Sequence, residues 1–585
     1  MIDNIENPIN IDKNLSPRWG SDAIALALRN INIPYVSLTP GASFRGLHDS
    51  LVNFLGNKNP KIILCLHEEH AIAIAHGYAK VARKPMGSIV HSNVGLMHAS
   101  MSIFNAFCDR VPIIIIGATG PVDSEKRRPW IDWIHTAQDQ GSLIRNFTKW
   151  DGQPASVNAA METIYRSAKI SNNSPKGPVY VCLDVSIQEE KIKDKLLYEE
   201  PKRYYKSGNQ SPSKESLIEA TSIINSAENI LLLSGRSSGK IDEWKNRINL
   251  AEKLDALVFT DRKTRSSFPT DHPLYRSLSI QNLSDEEKEI FKNSDVIISL
   301  DWIDLSGILK TVWGRENIKQ KIISASVDIY NHNGWSMDYQ GLPPVDVQLL
   351  SEPDIACEYL LGEVKKKKKK KYFRNKNQNK NITSMDNLEI LSLSDIAQSL
   401  KSNSKDKFIS FLRLPGGWED SYYSFESPLS FLGYDGGGGI GSGPGMSIGS
   451  ALAIKDLNNN KIIPVAIIGD GDYLMGVNAY WTAAHYKIPL LTIVANNRSY
   501  FNDEVHQHNI AKTRNREKLN SWIGQKITDP EIDLSSLAKA QGLIGFGPIS
   551  NRRKLDAAII DSLFHVINGE ACVIDVHIGP RKDIK

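Results

Sequence analysis

Two polar clusters close apolar runs in the last third of the chain. Gly469-Asp470-Gly471 ends IIPVAIIG and Asn496-Asn497 ends PLLTIVAN, so Asp470 and Asn497 stand 27 positions apart. A carboxylate, an amide oxygen and a nearby main-chain carbonyl form a hard oxygen set of the kind Mg²⁺ takes, and Mg²⁺ then bridges to phosphates. Gly469 and Gly471 let the main chain approach those phosphates and expose N–H groups to them. Asp-Gly and Asn-Asn are also common turn pairs, so the spacing alone leaves an ordinary turn open. A second candidate lies in CLHEEHAIAIAHGYAKVA, where Glu68 and Glu69 fall between an apolar run and an Ala-rich segment. Acidic residues suit a helix N-terminus electrostatically. A carboxyl kept from water can instead have its proton affinity raised enough to take part in proton transfer. The glycine-dense stretch GYDGGGGIGSGPGMSIGSALA contains permutations of G-x-G-x-x-G. A dinucleotide fingerprint requires a preceding strand and an acid about 20 residues on; glycines this dense produce chance matches, and no nicotinamide site is expected.

These residues must be carried to a common edge. Ligands of open parallel sheets sit beyond the carboxyl ends of the strands. The 26 residues between Asp470 and Asn497 have room for a helix around VNAYWTAAHY and a returning strand. Similar short apolar runs recur along the chain: YVSLTP, KIILCLHEE, PMGSIVHSN, VPIIIIGATG and GPVYVCLDV; then NILLLSG, ALVFTD, DVIISLD and KIISASVDI; then GLIGFG and ACVIDVHIG. Runs buried on both faces, with helical segments such as HAIAIAHGYAKVAR between them, indicate parallel sheets covered by helices. The fold class is therefore α/β, with three open parallel-sheet domains and flanking helices. The expected boundaries are an N-terminal domain over 15–190, a central domain over 211–364, a Lys-rich linker over 365–387 and a C-terminal domain over 388–580.

The chain has 585 residues, 41% hydrophobic and 23% charged, with a net charge of +4. Without the seven lysines 365–371 the remainder sums to −3, so the basicity is local and no nucleic-acid partner is expected. The lysine run is read as a solvated, flexible spacer. Cys65, Cys108, Cys182, Cys357 and Cys572 are scattered without a CxxC pair, which fits a reducing, cytoplasmic setting. The polar, acidic start MIDNIENPINIDKN does not read as a secretory signal, and no apolar stretch is long enough for a membrane span.

GDG followed by NN at this spacing resembles the cofactor signature of the thiamin diphosphate-dependent 2-oxo acid decarboxylase and acetolactate synthase superfamily. The order of the blocks is similar to that family's pyrimidine-binding, central and diphosphate-binding domains, so a thiamin diphosphate-binding fold is expected. The resemblance implies that the Asp470 and Asn497 side chains and the main-chain oxygen of Ser499 hold Mg²⁺ on the diphosphate, beside Gly469 and Gly471. Glu68, nine positions before Gly77, would hydrogen bond to the aminopyrimidine ring. Gly438 and Ile440 would face the cofactor, with the stiff β-branched Ile440 as the wedge that bends it. The implied reaction is decarboxylation of a 2-oxo acid, the enamine then taking a proton or a second carbonyl.

At the substrate end His91 and His272 resemble two histidines of the benzoylformate decarboxylase branch. Ala42, with Ser43 beside it, stands where that branch has a serine, and His98 stands where it has an asparagine. A structural turn is the alternative for His272. TPGASFRGLH and the pair His67-Glu68 resemble the acetolactate synthase branch, whereas NNRSYFNDEVHQH departs from it. No flavin contacts are recognised in the central block, so FAD is not expected. Arg498, Asp503, Glu504, His506 and His508 follow the metal residues and are substrate-loop candidates. Arg127, Arg128, Trp130, Trp133 and His135 would either cover an anionic substrate or pack on a partner subunit. The family places its cofactor between subunits, which implies a homodimer or homotetramer. A cofactor-binding homologue without turnover is the non-enzyme alternative.

Overall fold

A computed structural model of the chain describes residues 5–9, 11, 16–193, 195–197, 200–276, 283–328, 341–369, 390–434 and 436–579. Three sheets follow one another in the chain, and every pairing between their strands is parallel. The first contains β1 (Tyr35–Leu38), β2 (Lys61–Leu64), β3 (Met86–Ile89), β4 (Ile113–Thr119), β5 (Trp150–Gly152) and β6 (Val179–Asp184), in the order β2-β1-β3-β4-β6-β5. The second contains β7 (Ile230–Ser234), β8 (Leu257–Thr260), β9 (Tyr275–Arg276), β10 (Val296–Leu300), β11 (Lys321–Ala325) and β12 (Val347–Leu349), in the order β12-β11-β10-β7-β8-β9. The third contains β13 (Phe408–Arg413), β14 (Ile462–Gly469), β15 (Leu490–Asn496), β16 (Ile544–Ile549) and β17 (Ala571–His577), in the order β13-β14-β15-β17-β16.

The central strands of each sheet are apolar and buried along their length, because helices cover both faces. The first and third units also share one continuous core, in which Tyr78, Phe107 and Tyr180 of the former join Ile448, Tyr473 and Val494 of the latter. At its centre the helix Glu68–Ala82 crosses the helix Gly443–Asp456 with the two backbones in contact. A Cβ at Gly77 would lie 1.9 Å from the Met446 carbonyl oxygen, and one at Gly449 would lie 1.9 Å from that of Ile74. Glycine is required on both helices for this approach. Polar bonds border the contact: Tyr35 and Tyr78 both donate to Asp456 at 3.0 Å, and Ser450 Oγ donates to the Gly77 carbonyl at 3.0 Å.

The central unit docks through Arg110 on Asp301 at 3.0 Å and Tyr275 on Asp420 at 2.7 Å. The start of the lysine run is bound to it, since Lys367 Nζ donates to the carbonyls of Asn225 and Ala227 at 2.8 and 2.6 Å. The remainder of the expected linker, 370–387, lies outside the described residues. No helix of the described residues is long and apolar enough to cross a membrane.

Candidate active site

Glu68 opens its helix directly after β2. His67 is the N-cap, with extended backbone and Nδ1 accepting the Glu69 N–H at 3.2 Å. This turns Glu68 inward, where it is buried, with Oε2 3.1 Å from His98 Nδ1. His98 stands on the helix Ser92–Cys108 and stacks on His67 with ring centroids 4.9 Å apart. Gly95, one turn before His98, is what leaves room for the carboxyl: a Cβ there would sit 2.8 Å from Glu68 Oε1. His70 is buried two residues after Glu68 on the same helix, and burial, with His67 nearby, holds its pKa down to about 4.

Glu69 stands beside Glu68 in the first turn of the helix, half-buried and turned toward the glycine turn. Its Oε1 lies 3.9 Å from where a Gly441 Cβ would be, and burial followed by the nearby Asp472 raises its pKa. Asp472, two residues after Asp470, holds the glycine turn, a part that the sequence reading missed. Its Oδ1 accepts the Gly441 and Gly443 N–H groups at 2.7 and 3.2 Å, while Arg413 Nε donates to Oδ2 at 3.0 Å. Asn105 pins the same turn from the other side, donating to the Gly439 carbonyl at 3.2 Å and accepting its N–H at 3.3 Å. The signals were available in the second aspartate of GDGD and in an amide, Asn105, set between the apolar residues Phe104 and Ala106. The turn so held has positive φ at Gly433, Gly436, Gly438 and Gly441. The space where a Gly438 side chain would project is open, and Ile440 is 39% exposed.

Asp470 begins the helix Asp470–Gly476 at the carboxyl end of β14, and Asn497 directly follows β15, its parallel neighbour. The two side chains converge: the Ser499 N–H donates to Asp470 Oδ2 and to Asn497 Oδ1, each at 3.0 Å. Arg498, between Asn497 and Ser499, has φ +58°, and its N–H is accepted by Asn496 Oδ1 at 3.0 Å. Burial pushes the Asp470 carboxyl up to about 6, against the pull of main-chain N–H groups led by Ser499. A buried carboxylate and an amide oxygen turned toward one point form the hard donor set a divalent cation favours. Gly469 leaves the neighbouring space open. These residues fit Mg²⁺ and a diphosphate.

Glu504, expected to face substrate, is buried and receives a short hydrogen bond from Ser499 Oγ, so its contact is with the metal-side loop. Arg498 reaches outward to Glu531 at 3.2 Å. His506 is exposed on the helix Phe501–Thr513, bonded to Asn502 at 3.2 Å; Asp503 is exposed and His508 partly exposed on the same helix.

At the Glu68 side, His91 stands at the N-cap position of the helix Ser92–Cys108 that follows β3, and its Nδ1 lies 2.8 Å from Ser43 Oγ. Gly41 packs flat against it, a Cβ there falling 2.5 Å from the ring. Ala42 lines an adjoining groove of about 560 Å³ with Arg45 and His48. His272 does not join this group. Its Nδ1 accepts the Leu274 N–H at 3.2 Å, its Nε2 meets Glu252 at 3.3 Å, and Phe268 lies edge-on at 5.1 Å. Both of its nitrogens are thus engaged within the central unit.

Three family profiles match in order: the N-terminal thiamine pyrophosphate binding domain of thiamine pyrophosphate enzymes over residues 18–143, their central domain over 217–331 and their C-terminal thiamine pyrophosphate binding domain over 415–576. The chain belongs to the thiamin diphosphate-dependent superfamily of 2-oxo acid decarboxylases and acetolactate synthases. It is 22% identical to the acetolactate synthase large subunit of Lactococcus lactis, with 97% of this chain and 94% of the relative aligned. It is 21% identical to benzoylformate decarboxylase of Pseudomonas aeruginosa, with 75% and 79% aligned. The crystal structure of benzoylformate decarboxylase from Polynucleobacter necessarius superposes with a TM-score of 0.79 at 20% identity, covering 97% of this chain and 99% of that one. This likeness extends to the fold.

Proposed function

We propose that the chain is a thiamin diphosphate- and Mg²⁺-dependent enzyme that decarboxylates a 2-oxo acid and passes the remaining carbon to a proton or a second carbonyl. The observation that carries the reading is the convergence of Asp470 and Asn497 on one N–H, in a fold whose buried Glu68 is left with a histidine as its polar partner. When bound, the cofactor supplies a nucleophilic carbon and an electron sink for the departing carboxylate. Asp470, Asn497 and the Ser499 carbonyl would hold the cation and, through it, the diphosphate. Glu68 would hold a proton at the aminopyrimidine ring, since a desolvated carboxyl opposite a basic nitrogen shares one readily. Ile440 would prop the cofactor, on a turn clamped by Asp472 and Asn105. His91, set by Ser43, and His98 would meet the substrate.

Leu66, Met97, Ile440 and Met475 are 46%, 51%, 39% and 55% exposed around these residues. Apolar exposure of this kind next to a site that must exclude water supports a homodimer or larger homo-oligomer, with a second copy covering the site. Alignment of 97% of the chain with an acetolactate synthase favours the carbon–carbon ligating form as the second reading.

The test is CO₂ release from a panel of 2-oxo acids with thiamin diphosphate and Mg²⁺, followed by product identification by mass spectrometry with aldehyde or 2-oxo acid acceptors present. An aldehyde product supports simple decarboxylation, and a hydroxyketone or 2-hydroxy-3-oxo acid supports ligation. No CO₂ from any acid, with cofactor bound, leaves a binding protein without turnover. Sedimentation of the holoprotein as a monomer would contradict the oligomeric part.

A further inference from the structure

Behind the metal-side loop lies a buried polar pair that the proposed reaction does not use. Asp575 stands near the carboxyl end of β17, opposite Val494 of β15 in the register of the sheet. Its side chain reaches further along β15, where Asn496 Nδ2 donates to Asp575 Oδ1 at 2.9 Å. Asn496 is 3% exposed and Asp575 is fully enclosed. The edge strand closes the space around them. Gly547 of β16 has φ +129°, and a Cβ there would fall 2.6 Å from the Asp575 carbonyl oxygen and 2.9 Å from its Cβ. Ser535 Oγ donates to the Gly547 carbonyl at 3.1 Å and holds that approach. His577 Nε2 is 4.0 Å from Asp575 Oδ2. Burial raises the Asp575 pKa, opposed first by the Asn496 donation and then by His577.

Asn496 faces two ways. Its Oδ1 accepts the Arg498 N–H at 3.0 Å, and its main-chain carbonyl accepts the Ile578 N–H at 2.9 Å. An Asn amide can be turned end for end without a change of shape, so its neighbours decide which end points where. Here both neighbours agree. The main-chain N–H of Arg498 can only give a proton, and Asp575 Oδ1 takes the Nδ2 proton whether or not Oδ2 is protonated. Arg498 depends on this, because φ +58° is uncommon for a residue with a side chain. Its carbonyl is held from the other side by the Ile527 N–H at 2.8 Å. The turn so fixed separates Asn497 from Ser499, and the Ser499 N–H then reaches both Asp470 Oδ2 and Asn497 Oδ1.

We propose that Asp575 is a positioning residue for the cation: by fixing the Asn496 amide it holds Arg498 in its left-handed turn, and so presents Asn497 and the Ser499 carbonyl to the metal. This deepens the Mg²⁺ reading above and rests on it. The full-length protein is titrated with Mn²⁺, which shares the oxygen preference of Mg²⁺, in the presence of thiamin diphosphate. Free Mn²⁺ is read by electron paramagnetic resonance. The variants are Asp575→Leu, Asp575→Asn, Asn496→Asp and the exchanged pair Asn496→Asp with Asp575→Asn. Melting of the metal-free chain is recorded in parallel.

Loss of an outer partner of a metal site predicts Mn²⁺ binding weakened roughly 10- to 100-fold in Asp575→Leu. Asp575→Asn, which keeps an acceptor oxygen, should lose less. Asn496→Asp sets two carboxyls against each other and should bind about as poorly as Asp575→Leu. The exchanged pair moves the donor to position 575 and keeps an acceptor for Arg498, so it should recover most of the lost affinity. That recovery decides the matter if Asp575→Leu melts below the assay temperature. Mn²⁺ affinity equal to wild type in Asp575→Leu, with any change confined to melting, overturns the proposal, as does an exchanged pair no better than Asn496→Asp. Wild type that fails to bind Mn²⁺ with the cofactor, or Asp470→Ala that binds it normally, strikes the underlying metal reading instead.

Discussion

At the residue scale, the proposed chemistry depends on one carboxyl, that of Glu68, being buried and still reachable. Glu68→Gln should slow exchange at the cofactor's reactive carbon by ~10²-fold or more, the scale of general acid–base contributions, with melting unchanged; an exchange rate equal to wild type would reject the role. Gly95→Ala asks the same question without touching the acid. Its methyl would fall 2.8 Å from Glu68 Oε1, so the carboxyl must turn away, and exchange should fall while cofactor affinity stays near normal. Asp470 makes a prediction in pH. Its carboxyl titrates near 6 because burial raises it, and proton and cation compete for the same oxygens. Mg²⁺ affinity, read by cofactor fluorescence quenching or calorimetry, should therefore be steady above pH 7 and fall as pH drops through about 6. In the metal-free chain the same shift has the opposite sense for stability, which is lost as pH rises from about 4 to about 6. A flat affinity between pH 5 and 8 would show that Asp470 is not a ligand.

The convergence of Asp470 and Asn497 was legible in the sequence because each closes an apolar run, and the two runs form neighbouring parallel strands. Contacts elsewhere around the site were less so. Asp472 acts on a turn some thirty residues upstream, and His135 meets His91 only once β3 and β4 are paired. His272 and Glu504 sit in suggestive surroundings by sequence, yet each is satisfied locally, by Glu252 with Leu274 and by Ser499. Proximity in the chain to a motif does not place a side chain in the site.

At the scale of elements, the crossing of the helices Glu68–Ala82 and Gly443–Asp456 is the joint on which both halves of the site depend. Gly77→Ala places a methyl within 1.9 Å of a main-chain oxygen, and neither helix can retreat without disturbing a shared core. A loss of ~1–3 kcal/mol is expected, the usual range for overpacking, visible as a lower denaturant midpoint. Glu68 would shift with its helix, so cofactor affinity should fall as well. A variant as stable as wild type would mean that the helices separate easily. Long apolar runs identified β1 to β4 and the helix between β2 and β3 directly, because burial on two faces leaves a strong compositional trace. β5, β9 and β12 have two or three residues each and owe their conformation to a neighbouring strand's free edge. No local pattern could reveal them.

At the scale of the molecule, three parallel sheets in sequence were readable from the recurrence of those runs, whereas the way they dock was not. The contact between the first and third units is made by residues far apart in the chain, from Asn105 with Gly439, 334 positions apart, to Tyr78 with Asp456, 378 apart. The central unit touches both of the others but is absent from their common core. It follows that continuity of the polypeptide between the second and third units is not what keeps the catalytic pieces side by side. A chain made as two separate polypeptides, one ending at Lys369 and the other beginning at Ile390, should co-purify and regain cofactor binding when both are produced together. The permanent bond in this protein would then be a crossing of two glycine-bearing helices, with the covalent tether reduced to a convenience of synthesis.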